Sequence, residues 1–285
     1  MKTFKEKAMK IVFLFTALVS VACVVLICVF LISSGVPAMK EIGFGRFLLG
    51  RTWEPGAEIF GIFPMIVGSV YVTGLALLIG VPVALLTAVY LAYFCPAQVY
   101  RFIKPAIELL AGIPSVVYGF FGLMVIVPMI TEVFGGTGNS LLAVIFILSA
   151  MILPTMVSLC ETAVRAVPQA YREGSLALGS TDMQTLFKVT LPAAKSGVLN
   201  AIVLSIGRAI GETMAVILVC GNRASMPTSI LDPVRPMTAN IALELSYASG
   251  LQERALYATG VVLLVFIVVI NVTAHLALSG KKEAR

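Results

Sequence analysis

Long apolar runs separated by short charged segments organise this chain. Ile11 to Ser33 is one uncharged run that follows Lys2, Lys5, Lys7 and Lys10. As a helix it is long enough to cross about 30 Å of hydrocarbon. It exceeds the apolar stretch of a signal peptide, about 7–15 residues, so it reads as a retained first span. No charge occurs between Glu58 and Arg101. One helix from about Phe63 to Phe94 fits there, with Pro82 placed to kink it. A third span is predicted from about Pro105 to Val133, closed by a tight turn over Gly135-Gly136-Thr137-Gly138-Asn139-Ser140. The fourth is predicted over Leu141 to Ala163, the fifth over Ala194 to Cys220 and the sixth over Ala255 to Leu278. The pattern therefore predicts an all-α polytopic membrane protein of six transmembrane helices in one bundle. Residues 1–62 hold the N-terminal tail, first span and an outer loop; residues 63–278 hold a core of five spans; residues 279–285 form a tail.

Composition agrees. Of 285 residues, 59% are hydrophobic and 12% charged, against about 25% charged in soluble domains. That excludes a secreted domain, a disordered chain and an ordinary cytosolic enzyme. An outer-membrane barrel is excluded because its strands alternate apolar and polar residues over about 10 positions. The net charge of +6 is what cytoplasmic loops of a membrane protein supply, so it indicates a lipid bilayer and no nucleic acid. Thirteen cations, among them Lys10, Arg101, Arg172, Lys195, Lys281, Lys282 and Arg285, fall on the side of the N-terminus. Six, namely Lys40, Arg46, Arg51, Arg223, Arg235 and Arg254, fall opposite. Both termini are therefore expected in the cytoplasm. Cys23, Cys28, Cys95, Cys160 and Cys220 read as small buried hydrophobes. With His275 as the single histidine, neither a metal site nor a cofactor is expected.

Two segments opposite the termini are long, about 35–62 and 221–254. The second carries Pro227, Pro233 and Pro236 and then a helix-compatible stretch from Ala239 to Tyr247. It is either a cap dipping back over a pathway or an ordinary surface loop. The segment 164–195 between spans four and five is the most informative. Pro168 suits the first turn of a helix over Gln169 to Leu178, and Gly179 breaks it. Ser180 or Thr181 can cap a second helix, with Asp182 in its first turn and Pro192 as its stop. The result is a compact knob, either a docking site for a soluble partner or a helix pair lying on headgroups.

The order Glu173-Gly174-Ser175, three residues, Gly179, nine residues, then Val189-x-Leu191-Pro192 resembles the EAA loop of ABC importer permeases. Gly174 and Ser175 stand for two alanines and Val189 for isoleucine. The resemblance implies a type I ABC importer permease fold with a cytoplasmic coupling helix. Tyr171, Arg172, Glu173, Ser175, Leu176, Gly179 and Thr181 would form its ATPase-docking surface. The segments Ile113-Pro114-Ser115-Val116-Val117-Tyr118-Gly119, Asp232-Pro233-Val234-Arg235 and Thr238-Ala239-Asn240-Ile241-Ala242 resemble the phosphate importer permeases. Arg208-Ala209-Ile210-Gly211-Glu212-Thr213-Met214-Ala215-Val216 does so too, and looks like the PstC half of the pair rather than its PstA sister. The implied partners are a PstA-like sister permease, a PstB-like ATPase dimer, a PstS-like phosphate-binding protein outside, and phosphate as cargo. The implied place is a bacterial cytoplasmic (inner) membrane. The chain has no G-x-x-x-x-G-K-[ST] loop, so ATP chemistry falls to another chain. The same machine serving molybdate, tungstate or sulfate is the nearest alternative, and an ion-coupled secondary transporter is the rival from another class.

Arg208 and Glu212 lie near the middle of the predicted fifth span, where each charge costs about 2.5–3.5 kcal/mol on insertion scales. Their spacing places both on one face of a helix. They form either a structural ion pair or a substrate path. In the second reading Arg208 offers its fork to a phosphate oxyanion. Glu212 then holds Arg208 when the path is empty and keeps anion binding weak. Thr213 and Ser115 would help line the path. Glu108, Glu132 and Glu161 read as interfacial. The Gly112-Ile113-Pro114-Ser115 break either aims free N–H groups at an anion or packs as a kink.

Overall fold

The computed structural model describes residues 2–279. The first helix, α1 (Lys2–Ile42), runs beyond the predicted span, through Gly35 and Pro37. After α2 (Phe44–Leu49) comes a small antiparallel hairpin of β1 (Trp53–Glu54) and β2 (Ile59–Phe60), with Trp53 opposite Phe60. The second span is α3 (Phe63–Val89), completed by a wide π turn over Tyr90–Phe94. Pro82 lies inside it without ending it. Next are the amphipathic α4 (Ala97–Gly112), α5 (Ser115–Phe121), a second π turn over Gly122–Ile126 and α6 (Val127–Phe134). The fourth span is α7 (Leu141–Arg165), capped by Ser140, whose hydroxyl accepts from the Ala143 N–H at 3.3 Å.

The chain continues through α8 (Gln169–Ala177) and α9 (Asp182–Thr185), then a π turn over Leu186–Thr190 into α10 (Leu191–Gly211). The short α11 (Met214–Val219) and α12 (Met237–Glu244) precede the last span, α13 (Leu251–Ser279). Among the described residues, six helical stretches are long and apolar enough to cross a membrane: Glu6–Ile42, Phe63–Phe94, Ser115–Phe134, Leu141–Arg165, Asp182–Gly211 and Leu251–Thr273. The protein is a multi-pass membrane protein. Lys281, Lys282 and Arg285, which entered the charge count, lie outside the described residues.

Three predicted boundaries are corrected. Span three begins at Ser115, not Pro105. Pro114 disfavours helix at Ile113, which is extended (φ −69°, ψ 128°), and so cuts α4 away as a separate helix. Pro192 does not stop the second knob helix. It falls in the first turn of α10, just after the π turn, and the helix is continuous from Asp182 to Gly211. The wide turn relieves the clash between a proline ring and the carbonyl one turn before it. Span five ends at Gly211 rather than Cys220, because Glu212 is extended (φ −69°, ψ 127°) and α11 starts anew.

The core is built around α7. It packs on α3, α4, α10 and α11, and 67% of its most apolar stretch is buried. Ser149 on α7 donates to the Ala76 carbonyl of α3 at 3.0 Å. A Cβ at Gly119 would come within 2.7 Å of the Ala215 Cα, so a glycine there lets α5 and α11 touch backbone to backbone. Helix α1 packs mainly on α13. Its Ile11, Leu14, Phe15 and Leu26 point outward, the surface that lipid covers. Cys160 and Cys220 are buried as predicted, but Cys23 is exposed on α1, and Cys28 and Cys95 are half-buried.

The part of the long segment before α13 that forms α12 is not a surface loop. Met237, Ala239 and Asn240 are fully buried, and α12 packs against α3, α11 and α13.

Candidate functional site

Arg208 sits in the last turn of α10, exposed. Its Nη1 donates to Thr155 Oγ1 on α7 at 2.7 Å. The two line a groove of about 570 Å³ shared with Asn200, Leu204 and Gly207 of α10 and Asn271 of α13. The groove lining combines a guanidinium, two amides and a hydroxyl, with no carboxylate among the lining residues. Such a lining offers hydrogen-bond donors and one fixed positive charge, which suits an oxyanion. Thr155, Asn200 and Asn271 were missed from sequence. Their signal was present, since an uncharged polar side chain inside a span raises the same question as a charged one.

The expected Arg208–Glu212 pair does not form. Because the helix ends at Gly211, the two are not on one helical face. Glu212 Oε1 instead accepts from the Ala215 N–H at 3.1 Å, closing the first turn of α11. The Glu212 carbonyl accepts from Thr238 Oγ1 at 3.2 Å, which ties this break to α12. Thr213 donates to the Gly211 carbonyl at 3.1 Å. Neither Thr213 nor Ser115 is among the residues lining the Arg208 groove. Ser115 starts α5, half-buried. The break before it is stapled by Tyr118, whose hydroxyl donates to the Leu110 carbonyl at 2.9 Å, which supports a packed kink.

The knob is a bracket made by α8 and α9. Gly179 has φ +84°, a left-handed conformation natural to glycine. Thr181 caps α9 in a capping box with Gln184: the Gln184 N–H donates to Thr181 Oγ1 at 3.3 Å and the Thr181 N–H to Gln184 Oε1 at 3.0 Å. Ser175 turns inward, with its Oγ 2.9 Å from Thr185 Oγ1. Arg172 donates to Asp182 at 3.0 Å, and its guanidinium carbon lies 4.3 Å from the centre of the Tyr93 ring. The Asp182 hydrogen bond raises the Arg172 pKa further above its ordinary value. Ser175, Gly179 and Thr181 thus build the bracket, while Arg172 fastens it to the end of the second span. Tyr171, Glu173 and Leu176 remain exposed. Leu178, not singled out from sequence, is 89% exposed.

Two buried carboxylates anchor the frame. Glu161, expected at an interface, is 2% exposed. It accepts from Tyr100 at 2.7 Å, Lys104 at 2.8 Å and Arg165 at 2.8 Å. Burial pushes the Lys104 pKa down, and the hydrogen bond and charge of Glu161, then the charge of Glu108, more than reverse this, so it lies above its ordinary value. Glu244 on α12 accepts from Arg235 at 2.8 Å, Trp53 at 2.9 Å and Gln252 at 3.0 Å. Glu108 and Glu132 are exposed.

Residues 80–277 match the family model described as binding-protein-dependent transport system inner membrane component. The probable ABC transporter permease protein YqgH of Bacillus subtilis is 40% identical over 256 residues, covering 87% of this chain and 83% of that protein. The phosphate transport system permease protein PstC of Pasteurella multocida is 35% identical over 270 residues, covering 87% and 84%. Among solved structures, an inward-facing MetNI methionine ABC transporter chain superposes with a TM-score of 0.56 at 21% identity, covering 79% of this chain and 96% of that one. That likeness concerns the fold.

Proposed function

This chain belongs to the binding-protein-dependent transport system inner membrane components, and we propose that within them it is the PstC-like permease subunit of a phosphate importer. An ABC permease of this family works with a separate ATP-hydrolysing subunit and a substrate-binding protein. We assign the specific partners as a PstA-like sister chain, a PstB-like ATPase dimer and a PstS-like phosphate-binding protein, in a bacterial inner membrane with both termini cytoplasmic. The cation asymmetry along the sequence supports that orientation. Residues 63–278 are the permease core and 1–62 an added first span with its hairpin.

The observation that carries the reading is the Arg208 groove: one guanidinium among neutral donors, held by Thr155 and unpaired with any carboxylate among the described residues. A site of that kind binds an oxyanion and releases it, as a conduit must. The knob supplies the motion. From Asp182 to Gly211 the helix is unbroken, a lever of about 45 Å at 1.5 Å per residue. When the ATPase pair closes and moves α8, α9 moves with it, and so does the turn that carries Arg208. The switch is a shift between two packed states, driven by differential contact of the ATPase with each. Ser115, Thr213 and Glu212 take supporting places: Glu212 and Thr213 shape the end of α10, and Ser115 starts the helix packed against α11.

The test is ATP hydrolysis by the purified complex in nanodiscs with a binding protein loaded with phosphate, sulfate or molybdate. Stimulation by the phosphate form alone is expected. Stimulation by another anion keeps the machine and replaces the cargo. Failure of any ATPase to co-purify removes the docking role of residues 164–195.

A further inference from the structure

The exposed side of α10 is polar where a lipid-facing helix would be apolar. Ser196, Asn200, Leu204 and Arg208 recur every four residues, so they form one stripe. All four are exposed, as is Lys195 at the start of the stripe. An amide turned toward hydrocarbon would be left without hydrogen-bond partners, so this stripe faces water or polar groups. Asn271 of α13 lines the same groove and is also exposed. Leu204, 59% exposed, is the one apolar member of the stripe. By helix rise, Asn200 lies about 12 Å from Arg208 along the axis, and Ser196 about 6 Å further on.

Resting on the assignment of Arg208 to the pathway, we propose that Asn200 and Asn271 form a second, uncharged oxyanion station between Arg208 and the knob end of the bundle. Leu204 lies between the two stations along the same groove. The chemistry is graded. Arg208 attracts the anion with a full charge. The amides then hold it by hydrogen bonds alone, more weakly, and pass it to the mouth at Ser196 and Lys195. An anion bound by charge at every step would not leave.

The experiment uses the assembled complex in nanodiscs, its native cysteines in this chain replaced by serine or alanine. Ser196→Cys, Asn200→Cys and Leu204→Cys are treated with the anionic thiol reagent 2-sulfonatoethyl methanethiosulfonate. Reaction at positions 196 and 200, slowed several-fold by inorganic phosphate, is expected. In proteoliposomes, Asn200→Leu and Asn271→Leu should each lower phosphate uptake about tenfold, the worth of one hydrogen bond to a charged ligand. Asn200→Gln should restore most of the loss. Unreactive cysteines at 196 and 200 would mean that a neighbouring chain covers this face, and the second station would be lost. Normal uptake by Asn200→Leu would overturn it equally. Neither result bears on Arg208, which Arg208→Gln tests by itself.

Discussion

Arg208 donates a hydrogen bond to the Thr155 hydroxyl at 2.7 Å, and not to the carboxylate of Glu212, four residues further along the chain. The difference matters for transport. A guanidinium locked to a carboxylate is neutralised and must be freed before it meets an anion. A guanidinium on a threonine keeps its charge, and the threonine holds only its direction. Arg208→Gln is therefore expected to abolish phosphate uptake with the complex still assembled. Thr155→Val should lower uptake only several-fold, because it removes one positioning bond of about 1 kcal/mol. Uptake and co-purification of the ATPase, measured side by side, check both.

Glu161 is the group on which α4, α7 and the end of α3 converge. It holds Tyr100 and Lys104 from α4, and Arg165, which also donates to the Leu91 carbonyl at 2.8 Å. Removing one partner of a buried ion pair strands the other, so Glu161→Ala should destabilise the fold by about 3 kcal/mol or more. Lys104→Met should cost less, since Glu161 keeps two partners. The native Lys104 pKa is raised, so this contribution is complete below the ordinary lysine value of about 10. It is lost only as pH rises through the higher native value. Thermal unfolding in detergent from neutral to alkaline pH reads both effects.

The parts of the fold legible in the sequence were those where charge marks an edge. Phe63 to Phe94 and the start of span four at Leu141 lie between charged or glycine-rich segments, and the structure keeps those bounds. The end of span five was illegible, because Gly211, Glu212 and Thr213 interrupt an apolar run without a proline. The capture of the Glu212 carboxylate by the Ala215 N–H is a local choice that periodicity does not show. Pro192 misled in the opposite sense, since the π turn before it absorbs the break. Glu161 looked interfacial because its partners Tyr100 and Lys104 come from a helix about sixty residues earlier, a pairing that only tertiary packing reveals. Arg208 was visible as a charge inside a predicted span. Asn200 and Asn271 were just as visible, but an amide inside a span draws less notice than a charge.

The Arg172–Asp182 pair fixes the angle between α8 and the long helix that follows. Both side chains are about half exposed, so their coupling in a double-mutant cycle should be only about 0.2–1 kcal/mol. Its effect on coupling should be larger than its effect on stability. Arg172→Ala and Asp182→Ala should each leave the complex intact and weaken the stimulation of ATP hydrolysis by loaded binding protein. The double variant should be no worse than the weaker single one, because both remove the same contact.

Asp232 governs the entry to span four. Its carboxylate accepts from the Thr228 hydroxyl and N–H, each at 2.7 Å, and from the Ser229 N–H at 2.8 Å. The same turn receives the first N–H groups of α7, with Leu141 donating to the Asp232 carbonyl and Leu142 to that of Ile230. The Thr228 hydroxyl and the two N–H bonds depress the Asp232 pKa. A depressed carboxyl contributes fully above its ordinary value of about 4 and loses that contribution as pH falls through the lower native value. Amide exchange at Leu141 and Leu142, compared with that of the α7 interior, should rise selectively in acid. Asp232→Ala should show the raised exchange already at neutral pH.

Trp53 connects the hairpin near the end of α1 to Glu244, 191 residues away, through one bond of 2.9 Å from its indole N–H. Glu244 holds Arg235 and Gln252 as well, and the helix that carries it bonds through Thr238 to the carbonyl at the break after α10. A single buried carboxylate therefore joins the hairpin, α12 and α13 to the segment that ends the Arg208 helix. Trp53→Phe keeps most of the apolar contact with Phe60 but takes one donor from the carboxylate, and should cost about 1–2 kcal/mol. Glu244→Ala leaves the Arg235 guanidinium unpaired and should cost more, about 3–5 kcal/mol. Trp53 is the single tryptophan of the chain, so its fluorescence in the purified subunit follows this junction alone. Glu244→Gln should shift its emission to longer wavelength if the junction loosens and lets water reach the indole. If Glu244→Ala unfolds no earlier than Trp53→Phe, then Arg235 finds another partner and the carboxylate is not the tie.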